Sequence, residues 1–231
     1  MATDLIVVPA RWGSTRFPGK PLATIAGRSL LHRVLDHALE AAGAAEDVEL
    51  LVATDDPRIV DHAALAGCRA VLTDPAIASG SGRALAAAAT LVRPPRFVVN
   101  LQGDALYVPP SALLAVLSEL RRSHAACVTP VVQLNWQALD RLREHKRTTP
   151  FSGTTCLRTP DGRALWFSKA VLPVIRDEDR HRLASPLSPV HQHLGLYGYA
   201  LETLAAFEAL PPSLYEQCEG LEQLRLSLIH I

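Results

Sequence analysis

Apolar residues in this chain recur with two different periods. Leu5–Pro9 is a short unbroken apolar run containing two valines, the pattern of a strand buried on both faces. Glu49–Thr54, Arg69–Leu72 and Phe97–Leu101 read as three further strands. Between them the spacing becomes helical. Ser29 is placed to cap a helix running to about Ala42, with Leu30, Leu31, Val34, Leu35 and Leu39 on one stripe. Asp56 before Pro57 is a cap followed by proline at the first helical position, and that helix ends at Gly67. Ser81–Val92 and Pro110–Ser123 read as two more helices. Strands alternating with helices over the first ~125 residues predict an α/β domain: a mostly parallel central sheet with helices on both faces. The second half changes character. Gly153–Arg158 and Ala164–Phe167 flank the turn Pro160-Asp161-Gly162 and predict a hairpin, and His193–Ala200 predicts another strand. Pro211-Pro212-Ser213 stops one helix and caps the next, SLYEQCEGLEQLR. With no repeat or low-complexity linker, residues 1–225 read as one domain carrying an inserted β element at about 145–200.

Composition narrows the function classes. Lys+Arg and Asp+Glu both number 23, so the formal net charge is zero; a nucleic-acid binder, which usually shows a basic excess, is disfavoured. Any anion site must therefore be local. No apolar run approaches the roughly 18 residues needed to span a membrane, and the N-terminus is no signal peptide, so a cytoplasmic protein is expected. Cys68, Cys127, Cys156 and Cys218 are widely spaced, which predicts reduced thiols and neither a zinc site nor a disulfide framework.

Positive charge is concentrated after the first strand. VVPARWGSTRFPGKPLATIAG holds Arg11, Arg16 and Lys20, with Gly13, Ser14 and Thr15 able to turn N–H groups and hydroxyls inward. Such a nest suits phosphate oxygens, and Pro18 and Pro21 reduce the ordering that binding demands. Five residues separate Gly13 from Gly19 and Pro21 stands where a Walker loop has Ser or Thr, so this is not that loop. Ligands of parallel α/β sheets sit beyond the carboxyl ends of the strands. The other loops there are Thr54–Pro57 and Gln102–Pro110, with Ser79–Arg83 leading into a helix. Asp104, just past the fourth strand, can hold Mg²⁺ while a triphosphate supplies further oxygens. His191 and His193 would share one face of a strand. They are a metal pair or ordinary strand histidines, and no third ligand is evident nearby. Trp12, Trp136 and Trp166 read as packing residues.

P-A-R-x-x-S-T-R-x-P-G-K-P-L resembles the N-terminal signature of the sugar cytidylyltransferases, above all those for 3-deoxy-manno-octulosonate (Kdo). The resemblance continues through V-A-T-D-D at Val52–Asp56, S-G-S-G-R at Ser79–Arg83 and N-L-Q-G-D at Asn100–Asp104. It extends to A-L-W-F-S-K at Ala164–Lys169, H-L-G-L-Y-G-Y at His193–Tyr199 and L-E-Q-L-R at Leu221–Arg225. It implies a Rossmann-like nucleotidyltransferase that transfers CMP from CTP to a 3-deoxy-ulosonic acid with Mg²⁺, for lipopolysaccharide, as a homodimer. It implies Arg11, Lys20 and Asp104 as catalytic residues, with Asp104 a metal ligand. The nucleotide would meet Ala10, Arg11, Gly13, Ser14, Thr15, Arg16, Lys20, Thr54, Asp55, Ser79, Gly80, Ser81, Arg83 and Gln102. The sugar would meet Gln102, His193, Tyr199, Glu222 and Gln223, the last two on the capped helix.

The chain departs from the pattern at several points. Gly82 stands for the acid of S-G-T-(acid)-R, Ala105-Leu106 for Glu-Pro after Q-G-D, and Thr155 for a lysine, with Lys146 and Arg147 as displaced cations. These changes spare the phosphate loop and imply Kdo or a variant as acceptor. The family continues past L-E-Q-L-R with a strand and a second metal-binding Asp. Here the chain reads LSLIHI, which resembles a translated transposase-adaptor sequence. That implies truncation with a foreign tail at 226–231, the other reading being a short natural paralogue. The rival functions are a CMP-nonulosonic (sialic-type) acid synthetase and a non-catalytic nucleotide-binding homologue.

Overall fold

The computed structural model describes residues 3–13 and 17–228. The chain divides into two compact units, Met1–Thr129 with Gly195–Ala209, and Pro130–Leu194 with Leu210–Ile231. In chain order the first unit opens with β1 (Asp4–Pro9), a 3-10 turn (Lys20–Leu22) and a small hairpin, β2 (Thr24–Ile25) and β3 (Arg28–Ser29). It goes on through α1 (Leu30–Ala44), β4 (Val48–Thr54), α2 (Pro57–Leu65), β5 (Arg69–Leu72), α3 (Gly80–Ala88), β6 (Phe97–Leu101), α4 (Pro110–Ser123) and β7 (Cys127–Val128). The second unit contributes β8 (Val131–Asn135), α5 (Trp136–Thr148), β9 (Thr155–Arg158), β10 (Ala164–Ser168), α6 (Glu178–Ala184) and β11 (Leu187–His193). The chain returns to the first unit for β12 (Leu196–Ala200) and α7 (Leu201–Ala209), then ends in the second with α8 (Leu214–Glu219) and α9 (Gln223–Leu228).

The first unit is built on a sheet ordered β5-β4-β1-β6-β12-β7. β5, β4, β1 and β6 run parallel, and β12 runs antiparallel to β6. All six residues of β1 are buried. Ile6 and Val8 join a core with Leu31, Val34 and Leu35 of α1 and Leu113 and Leu117 of α4. Leu5 and Val7 point the other way, and α3 also packs on β1. That two-sided burial explains the unbroken apolar run. α1 starts where Ser29 Oγ accepts from His32 N (3.0 Å). It buries Ala38 and Ala41 and leaves Leu39 36% exposed, so the expected stripe is rotated slightly at its far end.

In the second unit the sheet order is β10-β9-β11-β8, and Cys156 and Phe167 pack with Leu221 and Leu224. That packing of α9 on β10 draws the chain after Leu210 into this unit. The second unit thus takes in 130–194 and the chain from 210 onward, a wider span than the expected β element at about 145–200. The expected strand His193–Ala200 is also two strands. β11 ends at His193 and β12 begins at Leu196, in different sheets. Likewise Gly220, left-handed at φ 62°, ends α8, so Glu222 lies in a turn and Gln223 opens α9; one capped helix does not carry both.

Candidate active site

The chain leaves β1 outward to β4 and β5, then crosses back to β6 on the other side of β1. The carboxyl ends of β1 and β6 therefore form the topological switch point, where such sheets open a crevice. A cleft of about 470 Å³ lies there, lined by Pro9, Ala10, Arg11, Phe17, Lys20, Pro21, Leu30, Gln102, Gly103 and Asp104. Lys20 Nζ donates to Asp104 Oδ2 across it, joining the two loops by an ion pair. Both side chains remain about half exposed, at 41% and 53%, and so open to a ligand.

Two glycines hold the loops in place. Gly19 sits at φ 70° against the Trp12 indole; an added Cβ would lie 2.9 Å from Trp12 Cη2. Its N–H closes the loop onto Trp12 O (3.0 Å). At Gly103 an added Cβ would lie 2.5 Å from Pro9 O, so only glycine lets the Gln102–Asp104 turn come this close to the end of β1. Below the loop, Asp55 Oδ1 accepts from Trp12 N (2.9 Å) and Asp55 Oδ2 from Arg83 Nη2 (3.1 Å). Arg83 Nη1 also donates to Thr73 Oγ1 (2.6 Å), with the guanidinium only 2% exposed. Arg58 stacks 3.4 Å over the Trp12 ring.

The residues expected to meet a nucleotide thus fall into two tiers. Ala10, Arg11, Lys20, Gln102 and Asp104 line the cleft, and Gly13 borders open space. Thr54, Asp55, Ser81 and Arg83 do not line it. Thr54 Oγ1 accepts from Asp56 N (3.2 Å), Ser81 is buried, and Asp55 and Arg83 bond each other and the loop. Ser79 caps α3, accepting from Gly82 N (2.9 Å). An added Cβ on Gly80 would lie 3.2 Å from the Gln102 amide. Ser14, Thr15 and Arg16 lie outside the described residues, as does part of the tail, 229–231. Sequence reasoning missed Phe17 and Leu30 as cleft walls. Phe17, between Arg16 and Pro18 in sequence and 54% exposed, was the one legible signal, because a large apolar side chain on a solvated loop is unusual.

The residues expected to meet a sugar are divided between the units. Tyr199 is buried in the first, stacked on Phe207 with centroids 6.2 Å apart. His193 is buried in the second, edge-on to Phe167 at 5.2 Å. Burial, and then the neighbouring Lys169 charge, push the His193 imidazole down to about 4, so it is neutral. Gln223 is buried at the start of α9, and Glu222 is exposed. At the position where a lysine was expected, Thr155 Oγ1 donates to Ala170 O (2.7 Å). Lys146, one of the displaced cations, is pinned by the carbonyls of Pro150, Ser152, Gly153 and Lys169. Arg147 pairs with Glu144 on the surface of α5 (3.2 Å).

Among the described residues no three His, Cys, Asp or Glu side chains gather into a metal cage, His191 and His193 included. A lone, half-exposed carboxylate such as Asp104 fits a hard divalent cation that draws its remaining oxygens from substrate phosphates and water.

Residues 5–230 match the family model described as cytidylyltransferase. The chain belongs to the cytidylyltransferase family. As a cytidylyltransferase it is a nucleotidyltransferase enzyme. It is 42% identical over 222 residues to the 3-deoxy-manno-octulosonate cytidylyltransferase of Maricaulis maris (strain MCS10), spanning 96% of this chain and 82% of that protein. It is 41% identical to the protein of the same name from Anaeromyxobacter dehalogenans (strain 2CP-C), over 95% of this chain and 83% of that one. Among solved structures, CMP:2-keto-3-deoxy-manno-octonic acid synthetase complexed with CTP superposes with a TM-score of 0.81 at 29% identity, covering 100% of this chain and 87% of that one. A Leptospira borgpetersenii cytidylyltransferase, 15% identical with a TM-score of 0.56, shares the fold.

Proposed function

We propose that this enzyme transfers CMP from CTP to Kdo or a closely related 3-deoxy-ulosonic acid, releasing pyrophosphate, in lipopolysaccharide synthesis. The observation that carries the reading is the convergence of Arg11, Lys20, Gln102 and Asp104 on one cleft at the sheet's switch point. The names and identities of its relatives support CTP and Kdo as the substrates. In the reaction the anomeric oxygen of the sugar attacks the α-phosphorus as its proton passes to solvent, and the bond from the α-phosphorus to the oxygen bridging to the β-phosphate breaks. Arg11 and Lys20 bind the phosphates and stabilise the charge that collects on the departing pyrophosphate. The Trp12–Gly19 closure holds these cations in place before the nucleotide arrives, reducing the ordering cost of binding. Asp104 would hold Mg²⁺; when bound, the ion would neutralise phosphate charge and lower the pKa of a coordinated hydroxyl. Lys20 exchanges its Asp104 partner for phosphate as the nucleotide enters. A cytoplasmic homodimer belongs to the same proposal, by resemblance; among the described residues no helix is long and apolar enough to cross a membrane.

The test is a pyrophosphate-release assay with CTP, Mg²⁺ and Kdo, with modified Kdo and sialic-type acids in parallel. Release that requires both CTP and a 3-deoxy-ulosonic acid is expected. Failure with every acceptor, or equal turnover of sialic-type acids, would contradict the assignment.

A further inference from the structure

The first turn of α3 is a weak place to anchor a binding site. Its sequence, Ser79-Gly80-Ser81-Gly82, puts two glycines in the opening turn, each costing roughly 1 kcal/mol of helix stability relative to alanine. Ser79 makes half of a capping box by accepting from Gly82 N, but the box needs Glu or Gln at Gly82 to answer it. Yet this turn supports the cleft at two points. Gly80 abuts the Gln102 amide. Arg83 holds Asp55, which holds the backbone of Trp12.

A carboxylate does reach this turn, from elsewhere in the same unit. β12 runs antiparallel to β6, with Leu196 opposite Leu101 and Ala200 opposite Phe97. α7 therefore starts at the amino end of β6 and climbs back to the carboxyl end, packing on α3. There Ser79 Oγ donates to Glu208 Oε2 (3.0 Å). A Cβ added to Gly82 would lie 2.9 Å from that same Oε2, and 2.7 Å from Ser79 Oγ. The Glu208 carboxylate thus occupies the space that a side chain at position 82 would enter. Its other oxygen, Oε1, is buried without a hydrogen-bond partner, which leaves the negative charge beside the α3 N-terminus, where the helix dipole favours it.

We propose that Glu208 is a positioning residue for nucleotide binding: from α7 it supplies the carboxylate that the first turn of α3 lacks at Gly82, and so fixes Gln102 and the Trp12 loop around the cleft. The inference rests on the cytidylyl-transfer reading. It predicts a mutual exclusion, because a carboxylate is needed on that turn from one source and two would collide.

The experiment measures CTP affinity by calorimetry, KM for CTP and for Kdo, and thermal stability in four variants. Glu208→Ala should weaken CTP binding about tenfold, the scale of one hydrogen bond to a charged group, with KM for Kdo within about twofold of wild type. Glu208→Gln, which keeps an acceptor for Ser79 but loses the charge, should recover only part of the loss. Gly82→Glu should impair CTP binding in the wild-type background and do less harm, or restore binding, alongside Glu208→Ala. The inference is overturned if Glu208→Ala binds CTP like wild type. It is equally overturned if CTP and Kdo weaken together with the melting temperature, or if the Gly82→Glu and Glu208→Ala penalties simply add. A wild-type protein that binds no CTP would overturn the cytidylyl reading itself, and this inference with it.

Discussion

In the proposed reaction, Arg11, Lys20 and Asp104 act at the scale of single charges. None of them is buried, so their value depends on where the loops place them. Removing either cation should lower kcat/KM by about 10²-fold, the usual loss when one group stabilising developing charge is deleted, while thermal stability stays near wild type. A steady-state kinetic series on Arg11→Ala and Lys20→Ala checks this. Gly103→Ala probes placement without touching charge. Its Cβ would sit 2.5 Å from a backbone oxygen of β1, so the turn bearing Asp104 must shift. A misplacement of this kind costs up to about 10²-fold in rate. The expected outcome is a folded variant with low kcat, read by pyrophosphate release and circular dichroism.

At the scale of elements, local chemistry was legible wherever a segment's own residues decide its state. Asp56-Pro57, Ser29 and Pro110 open helices where caps and prolines predict. The bounds of Arg69–Leu72 and Phe97–Leu101 follow from their apolar content. What the sequence hid depends on distant partners. The break after His193 is made by Leu194 N donating to Pro130 O, and by β12 pairing with β6. The Arg83–Asp55 pair, which ties two expected ligand contacts to each other, joins residues 28 positions apart in sequence. In the second unit, Arg225 clamps α9 to α8 through Glu216, with Nε–Oε2 at 2.8 Å and Nη2–Oε1 at 2.6 Å, both side chains largely buried. Arg225→Ala leaves that carboxylate uncompensated and should cost about 3 kcal/mol. Denaturant unfolding followed by tryptophan fluorescence reports on it, since Trp136 and Trp166 belong to this unit. His193 adds a pH signature. Its imidazole titrates at about 4 when folded against 6.5 ordinarily, so the unfolded chain binds the proton more readily between those values. Stability is fully present above about pH 6.5 and is lost as pH falls towards 4, by on the order of 3 kcal/mol. His193→Gln should flatten that slope in denaturation curves recorded across the window.

For the whole molecule, zero net charge coexists with a local cationic loop, which the topology places where the chain reverses direction across its sheet. The sheet order brings residues 11 and 20 to residue 104, a convergence that motif spacing suggested and only the topology of β1 and β6 explains. Open α/β sheets bind their ligands in the crevice at the switch point, and the side chains placed there decide which ligand. The most direct measurement is a crystal structure of the enzyme with CTP and Mg²⁺. The account predicts the triphosphate in the cleft between the β1 and β6 loops, with its oxygens on Arg11 and Lys20 and the ion on Asp104. CTP bound elsewhere, with the Lys20–Asp104 pair undisturbed, would contradict it.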